Sequence, residues 1–386
     1  MSIRTGTCLV LASLAVVFAF AEISARLLEA YGHYAPKRSV PAYMGPNPFL
    51  FSTLIPNRRT ALGGGGSVEV NSLGFRGAEI AVEKPPGTFR IVALGGSTTF
   101  GYHLSIKSTQ DTYPYKLEQE LRRRLPARQI EVVNAGVPGY TMRMSLLNFV
   151  TRITWLDPDM IIVYHGANDA SAFRSQDDLA RSVVEADITS VHAIGTLERL
   201  IFGSYAFLDL RYRIPRLLSK LEAGRDGVSQ RRGPNASQPH PPRDVPLPST
   251  LAAHERHLRD LVLAARDAGT RVAVVRQATV AVPDCTSRPD SHRRNDAEQL
   301  QDLICMQIDR YYPHLDRRGI ERTLESIAEI QRRIADEFDL IWIDANEAIP
   351  DTPEYHSDMC HLWPAGTALL ARTIADGLEA RIPATP

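Results

Sequence analysis

From Phe89 to Gly101 the sequence reads FRIVALGGSTTFG. An apolar run ends there in a pair of glycines, and three hydroxyl side chains follow the pair. A short apolar run bounded by turn residues is typical of a strand that is buried on both faces of a parallel sheet. The glycine pair predicts a turn from this strand into a helix. Ser97 would then lie at the carboxyl end of a strand, where open parallel sheets carry their sites.

The same pattern of apolar run and helix continues along the chain. Further strands are predicted at Ile130 to Val133, Met160 to Tyr164, Arg271 to Val275 and Leu340 to Ile343. Helical spacing of apolar residues predicts helices over 113–125, 141–155, 251–268, 322–338 and 365–381. Short strands that alternate with longer helices predict an α/β protein with three layers, in which helices cover both faces of a five-stranded parallel sheet.

The composition limits the partners and the number of domains. The 386 residues include 44 Lys+Arg and 44 Asp+Glu, so the formal net charge is zero and we expect no nucleic-acid partner. The α/β pattern fills residues 88–386, apart from a stretch rich in Arg and Pro at 170–250 and a polar stretch at 283–320. We therefore predict one domain with two insertions, preceded at 31–87 by an extended leader with a small β element. The Arg-rich stretch is either a solvated helix face or a contact for lipid headgroups or anionic glycans.

Residues 1–30 have the pattern of a membrane-targeting segment. Arg4 precedes an uncharged run from Cys8 to Ala21, which is the order found in export signals. The run is shorter than the roughly 20 apolar residues of a full span, but apolar residues continue beyond Glu22. An uncleaved membrane anchor, a signal peptide that is removed, and a buried helix all remain open. We expect an anchor, with the rest of the chain periplasmic or extracellular.

Four polar segments at predicted strand ends or before the last helix carry candidate catalytic groups. A Ser hydroxyl needs a base to become a nucleophile, and His361 is the candidate base for Ser97. Asp358, three residues earlier, can orient the imidazole. The backbone N–H groups of Ser97 and Gly136 and the side-chain amide of Asn168 are candidate donors to an oxyanion. Gly136 is a candidate because a missing Cβ allows an oxyanion to approach the backbone closely.

These segments resemble the SGNH hydrolase superfamily, also called GDSL-type esterases. The Ser, Gly, Asn and His of that family fall on Ser97, Gly136, Asn168 and His361, and its Asp-x-x-His block falls on Asp358 and His361. The resemblance covers residues 88–382 and implies a flavodoxin-like sheet and a serine esterase without a cofactor. Residues 71–77 and the N-terminal segment are similar to a bacterial membrane-anchored branch. One departure is that Gly96 stands where the family commonly has Asp.

The expected activity is hydrolysis of a small acyl ester, such as an acetyl ester, or of a lipid ester on an envelope or extracellular substrate. Two alternatives remain open on the residues alone. The first is an O-acyltransferase that uses the same residues with a glycan hydroxyl as acceptor. The second is a non-catalytic module that binds an envelope glycan or a protein partner.

The cysteines and the histidines near the C-terminus raise two further questions. A metal site is conceivable at His356, Asp358, Cys360 and His361, but such closely spaced residues rarely bind one ion together, so we expect no metal. Cys285 and Cys305 lie in the second insertion. A disulfide and two free thiols both fit the sequence there.

Overall fold

The computed structural model describes residues 12–13, 16–24, 43–47, 50–62, 65–102, 105–172, 243–285 and 296–383. The chain divides into two compact units, one formed by Met1–Ser52 with Ala186–Pro239 and the other by Thr53–Glu185 with His240–Pro386. In the first unit, residues 16–24 are helical and strand β1 spans Met44–Asn47. Strand β2, Phe51–Leu54, begins in the first unit and ends in the second.

Much of the predicted anchor at 1–30 lies outside the described residues, namely 1–11, 14–15 and 25–30. Among the helices that the structure does describe, none combines the length and the apolar character needed to cross a membrane. The Arg-rich stretch within the first predicted insertion also lies outside the described residues, since nothing between 173 and 242 is described.

A small antiparallel hairpin precedes the main sheet of the second unit. Strand β3 (Arg58–Ala61) pairs with strand β4 (Ser67–Val70), and a tight turn follows in which the Gly74 N–H donates to the Asn71 carbonyl over 3.0 Å. Gly74 has a φ of +79°, a conformation that favours glycine. Beyond the turn, the Arg76 guanidinium donates to the Phe100 carbonyl over 2.9 Å. The hairpin segment therefore supports the turn that carries Ser97.

The central sheet contains five parallel strands in the order β6-β5-β7-β8-β9. Their bounds are Thr88–Gly95 for β5, Gln129–Asn134 for β6, Met160–His165 for β7, Arg271–Arg276 for β8 and Ile341–Asp344 for β9. Every residue of β5 and of β7 is buried, as expected for central strands that helices cover on both faces. This order is that of a flavodoxin-like sheet, so the predicted fold class is confirmed.

Helices cover both faces of the sheet. They are α1 (Ser97–Phe100), α2 (Tyr113–Arg124), α3 (Met142–Asn148), α4 (Ala167–Ala172), α5 (Pro248–Asp267), α6 (Asp296–Tyr311), α7 (Arg317–Glu337), α8 (Ala345–Ala348) and α9 (Pro364–Leu378). Helices α2 and α9 pack on one face, and α3, α5 and α7 pack on the other.

Two helices differ most from the bounds that the sequence predicts. The helix predicted at 141–155 is α3 followed by a π-helical turn at Phe149–Ile153 and a 3₁₀ turn at Thr154–Leu156. The helix predicted from 322 begins at Arg317 instead. Asp316 explains the earlier start, because its carboxylate accepts a hydrogen bond from the Gly319 N–H over 2.8 Å and so caps the helix.

Most of the second predicted insertion packs against the rest of the second unit. Cys285 and Cys305 are joined by a disulfide, which decides between the two alternatives that the sequence left open. Buried side chains of α6 and the segment after it contact the α4 region and residues 359–360, in a cluster that includes Ile304, Tyr312, Leu315, Ala167, Met359 and Cys360. The Tyr312 hydroxyl also donates to the Ala167 carbonyl over 2.8 Å. This segment therefore borders the loop that carries His361.

Candidate active site

The candidate catalytic residues meet at the carboxyl edge of the sheet. Ser97 begins α1 with one residue between it and β5, and Asn168 lies in the first turn of α4, which follows β7. The chain passes from β5 to the edge strand β6 and then to β7, which lies on the opposite side of β5. The strand order therefore reverses between β5 and β7. Ligands in open α/β sheets bind in the crevice at that point. Asp358 and His361 reach it from the loop before α9.

A chain of hydrogen bonds joins Ser97, His361 and Asp358. The Ser97 Oγ lies 2.7 Å from the His361 Nε2. The His361 Nδ1 lies 2.7 Å from Asp358 Oδ2 and 2.9 Å from Oδ1. Because the carboxylate is an acceptor, Nδ1 carries the proton in this network and Nε2 is left to accept from the Ser97 hydroxyl. The structure thus brings together the three residues that the sequence pattern singled out.

The Asp358 carboxylate is held from several sides. Its Oδ1 accepts the backbone N–H groups of Cys360 and His361 over 3.0 and 2.8 Å. Burial by itself raises the pKa of Asp358, but His361 and these N–H donors outweigh burial and keep the pKa below its usual value. Asp358 is therefore ionised at neutral pH, as an orienting carboxylate must be.

The environment of His361 favours its protonated form. Burial by itself lowers the pKa of His361, whereas the neighbouring Cys360 and Asp358 raise it, and the resulting pKa lies well above its usual value. Asp358 is the decisive neighbour, because a carboxylate is ionised throughout the neutral range and this one hydrogen-bonds to Nδ1. An imidazole in this setting takes up a proton from Ser97 readily.

Tyr102 packs against the imidazole and was missed in the sequence. Its ring lies parallel to the His361 ring within 25°, with 4.2 Å between the ring centroids. The contact covers one face of the imidazole and limits its rotation. Burial raises the pKa of Tyr102, so the phenol stays neutral beside the histidine. Its position in the loop just after α1 was the sequence signal that could have placed Tyr102 near Ser97.

Gly136 does not have the surroundings that its predicted role requires. Its N–H donates to the Asn134 Oδ1 over 3.1 Å, so the donor is already engaged. A Cβ added to Gly136 would lie 2.3 Å from the Phe100 backbone nitrogen. The missing Cβ therefore allows the segment after β6 to pack against α1, which is a structural reason for glycine at this position.

Gly139, in the same segment, has the more suitable surroundings. The Tyr140 N–H donates to the Val137 carbonyl over 3.1 Å and closes a turn in which Gly139 has a φ of +85°. A Cβ added to Gly139 would meet no atom within 4 Å. A Pro-Gly pair predicts such a turn and the positive φ of its glycine, but it does not say what the Gly139 N–H faces.

The Asn168 amide lies against the turn before Ser97. Its Nδ2 donates to the Tyr140 carbonyl over 2.9 Å, and since an amide carries two N–H groups, one is left for a ligand. A Cβ added to Gly96 would lie only 2.4 Å from this Nδ2. The Asn168 amide occupies the space that a side chain at position 96 would need, which gives a physical reason for glycine at that position.

A small cavity adjoins the nucleophile. Its volume is about 10 Å³, enough for one water-sized group. Its lining includes Gly96, Ser97, Asn168, Gln277 and Cys360. Sequence reasoning missed Gln277, although it directly follows β8 and so lies at the edge of the sheet where the other site residues were sought.

Within the described part of the chain, one group of residues has the geometry to hold a metal ion. Ligand atoms of Asp358, Cys360 and His361 lie within 4.8 Å of one another, and the group does not include His356. Two of these residues already serve the hydrogen-bond chain to Ser97. The expected absence of a metal stays a prediction.

Comparison with known proteins assigns the family. Residues 93–369 match the model of the GDSL-like Lipase/Acylhydrolase family, which is more than half of the chain. The chain belongs to this family. Its members hydrolyse ester bonds, so the protein is a hydrolase that acts on ester bonds. The match agrees with the SGNH resemblance noted in the sequence, but it does not address the membrane-anchored branch.

Two solved structures illustrate the likeness. Axe2, an acetylxylan esterase from Geobacillus stearothermophilus, is 15% identical with a TM-score of 0.42, and the match covers 77% of this chain and 96% of that chain. LAE5, an alpha/beta hydrolase enzyme from the metagenome of Lake Arreo, Spain, is 14% identical with a TM-score of 0.41, covering 76% and 96% of the two chains. The sequence matches none of the curated proteins.

Proposed function

We propose that the protein is a serine esterase in which Ser97 is the nucleophile, His361 is the general base and acid, and Asp358 orients His361. The observation that carries the proposal is the unbroken hydrogen-bond chain from the Ser97 hydroxyl through the imidazole to the Asp358 carboxylate. The burial of Asp358 and His361 strengthens these contacts, because a site shielded from water has a low effective dielectric constant.

In the proposed mechanism the Ser97 Oγ attacks the ester carbonyl carbon while His361 Nε2 takes the hydroxyl proton. The tetrahedral intermediate collapses, the C–O bond to the alcohol breaks, and the alcohol leaves with the proton from Nε2. Water then attacks the acyl-enzyme by the same route and releases the acid. The oxyanion is bound by the Ser97 N–H, the free N–H of the Asn168 amide and the Gly139 N–H, which replaces Gly136 in this role.

The proposed acyl group is small, with acetyl the best fit. The cavity beside Ser97 has room for about one water-sized group, which favours a methyl group over a long chain at that position. The test is hydrolysis of p-nitrophenyl acetate, butyrate and octanoate. We expect the acetate to have the highest kcat/KM. Cys360→Ala, which widens the cavity, should raise the kcat/KM of the butyrate relative to that of the acetate. A preference for octanoate would contradict the proposal and favour a lipid ester.

The proposed location is the outer side of a membrane, to which the N-terminal segment tethers the enzyme. Residues 16–24 are helical, and Val16, Val17, Phe20 and Ile23 are all exposed. Exposed apolar side chains on a helix favour an apolar environment. The disulfide at Cys285 fits an oxidising compartment. Immunoblotting of membrane and soluble fractions is the test: full-length protein in the membrane supports an anchor, a shortened soluble form indicates a cleaved signal, and a full-length soluble form contradicts both.

The catalytic assignment is tested with Ser97→Ala. We expect this variant to lose turnover of p-nitrophenyl acetate and to lose the mass increase that a fluorophosphonate gives on the wild type. Ser72→Ala is the matched control, because Ser72 is exposed and its hydroxyl bonds to Glu79 away from the site. Unchanged turnover in Ser97→Ala would refute the assignment.

Product analysis separates an esterase from an O-acyltransferase, which would use Ser97 in the first step and a glycan hydroxyl in place of water. With acyl donor and glycan acceptor supplied together, free acid as the main product supports the esterase. Acylated glycan as the main product supports the transferase.

A further inference from the structure

Gln277 connects the two turns that carry the proposed catalytic groups. Its Oε1 accepts the Ala167 N–H over 2.7 Å, in the first turn of α4. Its Nε2 donates to the Thr98 Oγ1 over 3.2 Å, in the single turn of α1. The orientation of the amide follows from these partners, since the Ala167 N–H can only donate. Ala167 directly precedes Asn168, and Thr98 directly follows Ser97.

Gln277 is held tightly in this position. It is 9% exposed and follows β8 at once, so its backbone is tied to the sheet. A Cβ added to Gly166 would lie 2.9 Å from the Gln277 Oε1, so the glycine allows the amide to approach the turn. The side chain also lines the small cavity beside Ser97. A rigid side chain from a third strand therefore spans the two turns.

The spacing of these turns matters for the reaction. The Ser97 N–H belongs to one turn and the Asn168 amide to the other, and both would have to point at one oxyanion. Losing one such donor costs a catalytic site about 100- to 1000-fold in kcat, and a misplacement of about 1 Å can cost about 100-fold. A residue that sets the distance between the turns therefore affects the rate through the positions of the two donors.

We propose that Gln277 is a positioning residue that holds the Ser97 turn and the Asn168 turn at the separation needed to bind the oxyanion. The proposal rests on the proposed function, because it needs Ser97 as nucleophile. It assigns a catalytic contribution to a side chain that is absent from the four sequence segments. It also predicts that the contribution passes through the Thr98 hydroxyl and the Ala167 N–H.

The experiment uses Gln277→Met in the full chain, because methionine keeps the length of the side chain and loses both hydrogen bonds. With p-nitrophenyl acetate we expect kcat to fall about 10- to 100-fold and KM to change less than about threefold. Thr98→Val, which removes only the hydroxyl, should lower kcat by a smaller factor, and Thr98→Ser should keep the wild-type kcat. The double variant with Gln277→Met and Thr98→Val should be no slower than Gln277→Met alone.

The outcomes separate this proposal from the proposed function. Retained hydrolysis in Ser97→Ala overturns both. Activity that depends fully on Ser97 but has wild-type kcat in Gln277→Met overturns only the positioning role. Equal losses in Thr98→Val and Thr98→Ser, or multiplied losses in the double variant, also overturn it. If Gln277→Met fails to fold, the split between Thr98→Val and Thr98→Ser decides the question.

Discussion

Position 96 shows how one missing side chain shapes the candidate site. The Asn168 Nδ2 lies 2.4 Å from where a Cβ of residue 96 would be, and the same amide is held by the Tyr140 carbonyl. A side chain at 96 must therefore displace the proposed oxyanion donor. Glycine at position 96 thus lets Asn168 lie close to the nucleophile turn.

Gly96→Ala is predicted to lower kcat about 100-fold or more by displacing Asn168. Overpacking should also reduce the free energy of unfolding by about 1–3 kcal/mol. Gly269→Ala is the matched control: Gly269 has a φ of +69° and a Cβ there meets no atom within 4 Å, so it should cost stability and leave kcat unchanged. Kinetics and urea unfolding of both variants are the measurements. A Gly96→Ala enzyme with wild-type kcat would contradict the placement of Asn168 in the site.

The raised pKa of His361 predicts an alkaline pH profile. Only the neutral imidazole can accept the Ser97 proton, so kcat/KM should fall as pH drops through this pKa, with an inflection above the usual value of about 6.5. Asp358→Asn removes the carboxylate that raises the pKa, so its inflection should move to lower pH while its kcat falls. Steady-state rates across pH 5 to about 10 measure both effects. An unshifted inflection in Asp358→Asn would contradict the electrostatic role of Asp358.

At the scale of elements, the segment between β8 and α7 frames the site. Helix α6 and the residues after it contact both the α4 region and residues 359–360, and the Met359 N–H donates to the Gln307 Oε1 over 3.1 Å. Helix α7 then begins at its Asp316 cap and packs beside α5 on one face of the sheet. The stretch predicted as a polar insertion is therefore part of the support of the His361 loop, because its apolar side chains face inward.

Asp316→Ala is predicted to destabilise the protein by about 1 kcal/mol, because the Gly319 N–H loses its acceptor at the first turn of α7. Asp316→Asn keeps an acceptor oxygen and should be close to the wild type. The midpoint of urea unfolding measures the difference, and kcat should stay unchanged in both variants. Equal stability of the Ala variant and the wild type would show that the cap contributes nothing.

At the scale of the whole molecule, the proposed catalytic residues come from parts that are distant in the sequence. The Ser97–His361 contact spans 264 positions. The disulfide closes a shorter loop, with 20 positions between Cys285 and Cys305, at the border of the site. The proposed catalytic contact is thus a long-range one, whereas the disulfide is a local covalent link.

Removing the disulfide with Cys285→Ser and Cys305→Ser is predicted to reduce the free energy of unfolding by about 3 kcal/mol, since a loop of this length gains that much entropy in the unfolded chain. Reductant should shift the wild type by a similar amount and leave the double variant unchanged. Urea unfolding with and without dithiothreitol is the measurement. A wild type that is insensitive to the reductant, with both thiols shown to be free, would contradict the link.

The sequence by itself determined the architecture of the sheet. Strands such as β5 and β7 are buried on both faces, so they appear as uninterrupted apolar runs, and the residues after them mark the functional edge. The pairing of Asp358 with His361 was also readable, because three residues of spacing is a local relation. The buried strands and the Asp358–His361 spacing depend on burial and on residues that are close in sequence, and both leave a pattern that can be seen in the sequence.

The tertiary structure alone decided which groups face one another at that edge. The N–H of Gly136 turned out to be engaged by Asn134, while Gly139 is open, although both are glycines in one turn segment. Gln277 and Tyr102 gained their positions from contacts with other elements. The direction of an N–H group and the distance between two turns depend on how strands and helices pack, and no pattern within a single segment encodes that packing.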